Sequence, residues 1–337
     1  MQLDNETPFV SDRFAVLDRD GADLLLVVVK GTYSFNGRGT LEVAGDQCPV
    51  ELVDQYVGDP GESSVSYASD FSINKAGTDV AVVGHAYPTG QHDAEVSAGI
   101  EVGRVQKLVK VFGDRTWSKA IGLSRRTTPR PFERMPLLFE RAFGGVDNSH
   151  PDERHHEYET RNPAGVGFRA RKSKLPVDDM PLPNIEDPRN LISSPDDRPA
   201  PAGLGFIGPS WQPRLSYAGT YDDAWEERRK PLLPDDFDDR FFNAAHPDLA
   251  CTGFLKGDEE VTAIGVSPHG PIRFMLPGVT PSCSVEAGRT GEHPIELRLD
   301  KLVLEPDENR LLLLWSGALR MPCRFQDVDV VKIALAS

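Results

Sequence analysis

Sixteen of the 28 prolines fall between Pro129 and Pro234, and that distribution decides what the middle of the chain can become. Proline has no amide hydrogen and fixes φ, so a stretch this rich in it holds neither a long helix nor a central strand. The same third nevertheless carries Phe139, Phe143, Phe168, Trp211, Tyr217, Tyr221, Trp225, Phe237, Phe241 and Phe242. Disordered linkers lack aromatic residues, because without apolar surface to bury nothing offsets the entropy of ordering. An irregular backbone with this much apolar side chain reads as a packed segment from Pro136 to Phe242, held by side-chain contacts. Recognition is its first candidate role.

On either side the pattern is that of short strands. Residues 24–29, 32–35, 40–43, 79–83 and 100–112, the last broken at Gly103, are rich in β-branched and aromatic types, and residues 36–39 supply a hairpin turn. After Asp248, strands are expected at 260–266, 272–276, 294–303, 310–315 and 328–335. In the 294–315 hairpin Glu296, Arg298 and Asp300 alternate with Leu297, Leu299 and Leu302, and Pro306 to Asn309 provide turn chemistry. Two short helices are expected in the middle, one capped by Thr220 and stopped by Pro231, the other at 236–245. They would press Trp225 and Phe241 against the sheet. The predicted fold is mainly β: a β-sandwich or curled antiparallel sheets with a long irregular Pro/Gly/aromatic-rich central segment and a few short helices. It is read as one domain, with N-terminal strands over 1–125, the irregular segment over 126–248 and C-terminal strands over 249–337.

Thirty-seven basic against 52 acidic residues give 37 − 52 = −15, which argues against binding nucleic acid or an anionic membrane surface. No apolar run approaches the roughly 18 residues that cross a bilayer, and Met1 to Glu6 lacks the start of a secretory signal, so a cytoplasmic protein is expected. Cys48, Cys251, Cys283 and Cys323 match no metal-ligand spacing and read as reduced, isolated residues.

Most motifs that would carry chemistry lack their context. Gly203, Gly205 and Gly208 match G-x-G-x-x-G, but that fingerprint needs a strand before it and a helix N-terminus after it. Pro199, Pro201, Pro209 and Pro213 preclude both. The cluster His150, Asp152, Glu153, His155, His156, Glu157 and Glu159 is rich in ligand types without a metalloprotease register. His85 and His92 read as surface or half-buried histidines. No nucleophile elbow, catalytic cysteine context or P-loop occurs. Arg125, Arg126, Arg130 and Arg134, interleaved with Pro129, Pro131 and Phe132, form the one basic patch and suit contact with an acidic protein partner. Arg141, Asp147, Arg161, Asn162 and Asp222 lie among aromatics and glycines. In a segment without regular hydrogen bonds their plain role is to satisfy loop amides and carbonyls.

Residues 139–147 (FERAFGGVD), 161–168 (RNPAGVGF), 182–188 (LPNIEDP) and 201–213 (PAGLGFIGPSWQP) occur in this order. With 218–225 (AGTYDDAW), 233–243 (LPDDFDDRFFN) and 29–35 (VKGTYSF), they resemble the family catalogued as domain of unknown function 2169, found beside type VI secretion genes, to about residue 280. The resemblance implies an adaptor or chaperone-like loader. It would bind a secreted effector in the cytoplasm and help mount it on the spike of VgrG and PAAR-repeat proteins, without catalysis, cofactor or metal. It marks Glu140, Arg141, Phe143, Gly144, Gly145, Asp147, Arg161, Asn162, Pro163, Gly165, Gly167, Asn184, Trp211, Pro213, Thr220, Tyr221, Asp222, Trp225, Phe237 and Asn243 as signature positions, structural or partner-binding. The rival readings are a metal-dependent hydrolase using the His150 to Glu159 cluster and a structural piece of the secretion apparatus.

Overall fold

The strand Asp23–Phe35 runs 13 residues, and all of it except Asp23 and Ser34 is buried. A strand covered on both faces loses the alternation of a half-exposed one, hence the continuous apolar run from Leu24 to Val29. The sequence pattern divides this strand at Lys30 and Gly31, yet both lie inside it. Lys30 is neutralised by Asp70 at 2.8 Å. Gly31 leaves room for two rings, since a Cβ there would come within 3.1 Å of Phe9 and Trp315. This computed structural model describes the chain apart from residues 37–38, 91, 121–122, 289–290, 322–323 and 336–337. Part of the expected 36–39 turn, and Cys323, therefore lie outside the described residues.

The long strand sits inside a six-stranded sheet, flanked by Val10–Leu17 and Arg310–Arg320, with Arg298–Glu305 and Asp79–Val82 beyond and Leu41–Val43 paired to its end. A five-stranded antiparallel sheet runs Ile185–Glu186, Val105–Phe112, Glu95–Val102, Glu260–Ile264, Ile272–Met275. A four-stranded sheet runs Gln2–Asn5, Val330–Leu335, Pro281–Ala287, Gly291–Ile295. The fold is thus mainly β, as expected, with curled and largely antiparallel sheets. Within these large sheets two pairings are parallel: Gln2–Asn5 with Val330–Leu335, and Asp79–Val82 with Arg298–Glu305. Every large sheet combines strands from the two ends of the chain.

Leu25, Val27, Val29, Leu302, Leu304 and Leu313 from the six-stranded sheet share one buried core with Ile100, Val109, Val261 and Ala263 of the five-stranded sheet and Val285 and Ile333 of the four-stranded one. The central segment feeds Phe139, Ile185, Leu204, Ile207, Trp211 and Leu249 into the same core. With Trp117 of the N-terminal strands it also builds a satellite from Phe143, Leu182 and Ile192. The expected packed irregular segment is therefore present, its backbone in short bridges and 3₁₀ turns.

Several expectations are corrected. Residues 294–303 are not one strand: Gly291–Ile295 and Arg298–Glu305 belong to different sheets. A register shift between Leu299 and Lys301 turns Asp300 inward instead of leaving it on the polar face. The helix near Thr220 is Asp223–Arg228, capped by the Asp222 carboxylate, which accepts from Trp225 N at 2.9 Å. Thr220 is instead held by Asp236. The expected helix at 236–245 shrinks to a 3₁₀ turn, Asp239–Phe242, because Asn243 is extended to reach Gly77 O and Asp79. Neither aromatic of these turns is pressed on a sheet. Trp225 donates from Nε1 to Leu232 O and meets Tyr221 edge-on, and Phe241 is half-buried beside the Arg214 guanidinium. The strands Val10–Leu17 and Pro281–Ala287 were not anticipated.

Beneath loop 44–78 lies a buried charge network. Asp70 accepts from Lys30 and Lys301, each at 2.8 Å, and Lys75 lies 3.0 Å from Asp79 and 3.8 Å from Asp300. Three lysines balance three aspartates, as buried charges require. Burial pushes the Asp300 carboxyl up and the Lys301 ammonium down. Burial would raise Asp70 as well, but the two ammonium groups hold it below its usual range. Lys301 also donates to Ala68 O and Ser69 O, at 2.6 Å and 2.9 Å, so the network fastens the loop to the sheet.

Candidate partner-binding segment

The signature motifs around residues 139–147 and 161–168 are wound about one side chain. Asn162 is fully buried and donates from Nδ2 to Phe139 O at 2.7 Å and Phe143 O at 3.1 Å. Its backbone carbonyl accepts from Gly145 N at 2.9 Å and Gly165 N at 3.3 Å. Phe143 and Gly144 pair in parallel with Val166 and Gly167. The chains approach so closely that a Cβ on Gly144 would collide with Asn162 O, and one on Gly165 would lie 2.7 Å from Ala142 O. Gly144, at φ 157°, also needs a conformation that glycine adopts cheaply. The glycines and the asparagine are one device.

Further ties radiate from this knot. Arg161 grips Glu159 with two bonds of 2.7 Å and donates to Pro199 O at 3.0 Å, with Pro163 just downstream. Burial would raise the Glu159 carboxyl, but the Arg161 bonds hold it below its usual range. Asp147, 2 % exposed, accepts from Ser149 N and Ala170 N. Burial would raise Asp147 too; hydrogen bonds from Ser149, Ser173 and the two amides win and hold it at about 2. Glu140 accepts from both the amide and the hydroxyl of Ser64, each at 2.7 Å. Asn184 donates to Phe112 O and Asp114, each at 3.1 Å. Behind it Arg115 and Glu186 form a buried ion pair, the Arg115 guanidinium 3.7 Å above the Phe112 ring. Burial lowers Arg115 and raises Glu186, opposing the mutual attraction in both cases.

The glycine run at 203–208 behaves as its prolines imply. It crosses the edge of the six-stranded sheet, Leu204 O accepting from Val82 N at 2.8 Å, and no helix starts at Gly208. Gly203 faces Phe139, whose ring meets Trp211 edge-on at 6.0 Å, ahead of Pro213. The later signature residues form a separate turn system. Phe237 is buried beneath Arg19, Thr220 and Asp222 make the bonds given above, and Tyr221 stays 54 % exposed.

Arg141 does not behave as an internal tie. Its side chain is 45 % exposed, 4.0 Å from Asp114, and its one hydrogen bond reaches Asn184 Oδ1 at 3.4 Å. The Arg125 to Arg134 patch is likewise dispersed: Arg126 donates to Ile192 O, and Arg130 lines a cleft together with Arg141.

In the His150 to Glu159 cluster two of the four acids are engaged by neighbouring arginines. Asp152 takes Arg154 at 2.7 Å, Glu159 takes Arg161, and the His156 ring meets His150 O at 3.0 Å. Among the described residues no group of three or more His, Cys, Asp or Glu is arranged to hold a metal ion. His85 pairs with Asp307 at 2.7 Å, and His92 is exposed. Cys48, Cys251 and Cys283 are free thiols, and burial lifts the Cys283 thiol to about 12. No helix among the described residues is long and apolar enough to cross a membrane.

These features define a β-rich protein whose central excursion is ordered by buried polar side chains. The chain belongs to the family described as an uncharacterized protein conserved in bacteria, DUF2169, whose model matches residues 20–316. The match runs past residue 280 and takes in the hairpin of Arg298–Glu305 and Arg310–Arg320 almost to its end. Neither a curated protein nor a solved structure matches the chain.

Proposed function

We propose that this protein is a non-enzymatic adaptor that binds a type VI secretion effector in the cytoplasm and helps load it onto the VgrG/PAAR spike. The observation that carries the reading is the division of labour within the signature segment. Asn162, Asp147, Glu140 and Asn184 are occupied inside the protein, whereas Arg141 lines an open cleft with loose contacts. A segment stiffened from within and presenting an underused guanidinium suits protein recognition, where a few anchors dominate affinity. Pre-ordering also limits the entropy lost on binding. The family resemblance supplies the partner class, and the −15 charge favours solubility of a chain that must hold a cargo. Co-expression with the effector encoded beside the gene tests this. A stable stoichiometric complex through size exclusion supports the adaptor, and separate elution of both proteins at micromolar concentration overturns it.

A further inference from the structure

Arg130 and Arg141, eleven residues apart in the sequence, line one cleft of about 540 Å³. It lies between the turn that follows the strand Leu123–Arg126, the 3₁₀ turn Phe139–Arg141 and the loop at 181–184. The volume falls within the roughly 300–1,000 Å³ of ligand-binding clefts. Among the described residues the Arg130 guanidinium has no hydrogen-bond or ion-pair partner, while Arg141 has only its 3.4 Å bond and the 4.0 Å approach of Asp114. Arg115 lines the same cleft, 5 % exposed, and its Nε makes no hydrogen bond. Two acids also line it, but neither is idle. Both Glu140 oxygens accept from Ser64, and Asp114 accepts from Asn184 Nδ2. Leu182 and Val166 add an apolar wall.

We propose that this cleft binds a carboxylate carried by an extended segment of the partner protein, with the Arg141 and Arg130 guanidiniums donating to its oxygens and the apolar wall taking the adjoining side chain. The inference rests on the partner-binding reading. Guanidinium forks match planar carboxylates and form charge-assisted bonds, roughly twice as strong as neutral ones. Asp114 and Glu140 nearby disfavour a phosphate, whose second charge they would repel more than a single one. In the free protein Asp114 is a weak internal competitor for Arg141.

Three peptides serve as probes: acetyl-Gly-Leu-Glu-amide, acetyl-Gly-Leu-Leu with a free C-terminus, and acetyl-Gly-Leu-Gln-amide as the uncharged control. Inorganic phosphate is the alternative anion. Isothermal titration is expected to show binding of one or both carboxylate peptides; which of the two binds assigns the carboxylate to a side chain or a chain end. Arg141→Gln should weaken that binding about tenfold or more, the scale of a lost hydrogen bond to a charged group. Asp114→Asn should tighten it severalfold, because its Oδ1 still accepts from Asn184 while the competing charge is gone. Arg273→Gln, exposed on the strand Ile272–Met275 and outside the cleft lining, should change nothing. Equal binding of the glutamine peptide, tighter binding of phosphate, or an Asp114→Asn protein that binds no better overturns the proposal. The Asp114→Asn arm decides if Arg141→Gln does not fold. Effector binding that ignores both substitutions sinks the cleft and leaves the adaptor standing. Peptide binding without an effector complex sinks the adaptor alone.

Discussion

Asn162 and Arg141 sit in motifs of equal prominence and have opposite physical roles. Asn162 donates to two carbonyls and is enclosed by glycines, so Asn162→Ala takes its donor from Phe143 O, leaves Phe139 O with only the Ala142 amide, and opens a cavity. We expect a loss of about 2–4 kcal/mol in urea unfolding, whereas Arg141→Ala, half in solvent, should cost less than about 0.5 kcal/mol. That ordering reverses the plain sequence reading, in which both residues are internal ties. Residue types were legible, since an irregular segment needs amide and carboxylate partners. Which of them face inward depends on where the chain crosses itself, and spacing does not encode that. Asp147 offers a test by pH. Its folded pKa, about 2, lies below the unfolded carboxylate value near 3.9, so its contribution is present above about pH 4 and is lost as pH falls towards 2. The stability gap between wild type and Asp147→Asn should be on the order of 1–2 kcal/mol at pH 7 and close over that window. A gap independent of pH contradicts the assignment.

Among the elements, loop 44–78 is attached to the six-stranded sheet chiefly through charge. Asp70 bridges Lys30 of the strand Asp23–Phe35 and Lys301 of the strand Arg298–Glu305, so Asp70→Asn strands two buried ammonium groups. The expected cost is about 3–5 kcal/mol, with limited proteolysis cutting first within 44–78. Unchanged protease resistance would show that the apolar contacts of Val50 and Phe71 suffice to hold the loop. This network was not legible, because a lone Lys30 in an apolar run reads as a strand break until its partner 40 residues away is placed. The 3₁₀ turn Pro247–Leu249 is anchored differently. His246 accepts at Nδ1 from Asp248 N, which leaves Nε2 to donate to Pro201 O. Burial first, then nearby Lys107, press its pKa down to about 4 against the raising effect of Asp248 and Asp187. The unfolded histidine titrates near 6.5, so the unfolded state binds more protons between pH 6.5 and 4 and stability falls across that window. A loss of roughly 2–3 kcal/mol is expected, absent in His246→Gln. The same slope in the variant contradicts it.

At the scale of the molecule, the mainly β class was legible from β-branched runs and turn residues at both ends of the chain. The pairing of those ends was not, since strands 79–82 and 298–305 lie side by side with more than two hundred residues between them. The central segment was legible as ordered because its aromatics outnumber what a linker carries, and the family match from residue 20 to 316 spans segment and sheets together. Segment and sheets therefore act as one scaffold, and the Arg130 and Arg141 cleft is a face of it where Arg141 makes only loose internal contacts. The most direct test of the account is the dissociation constant between separately purified chain and the effector encoded beside it, measured by isothermal titration for wild type and Arg141→Gln. A one-to-one complex with a constant on the order of 1 μM or tighter, weakened about tenfold or more by the substitution at unchanged thermal stability, is the predicted result. The absence of any complex at micromolar concentrations of folded protein would contradict it.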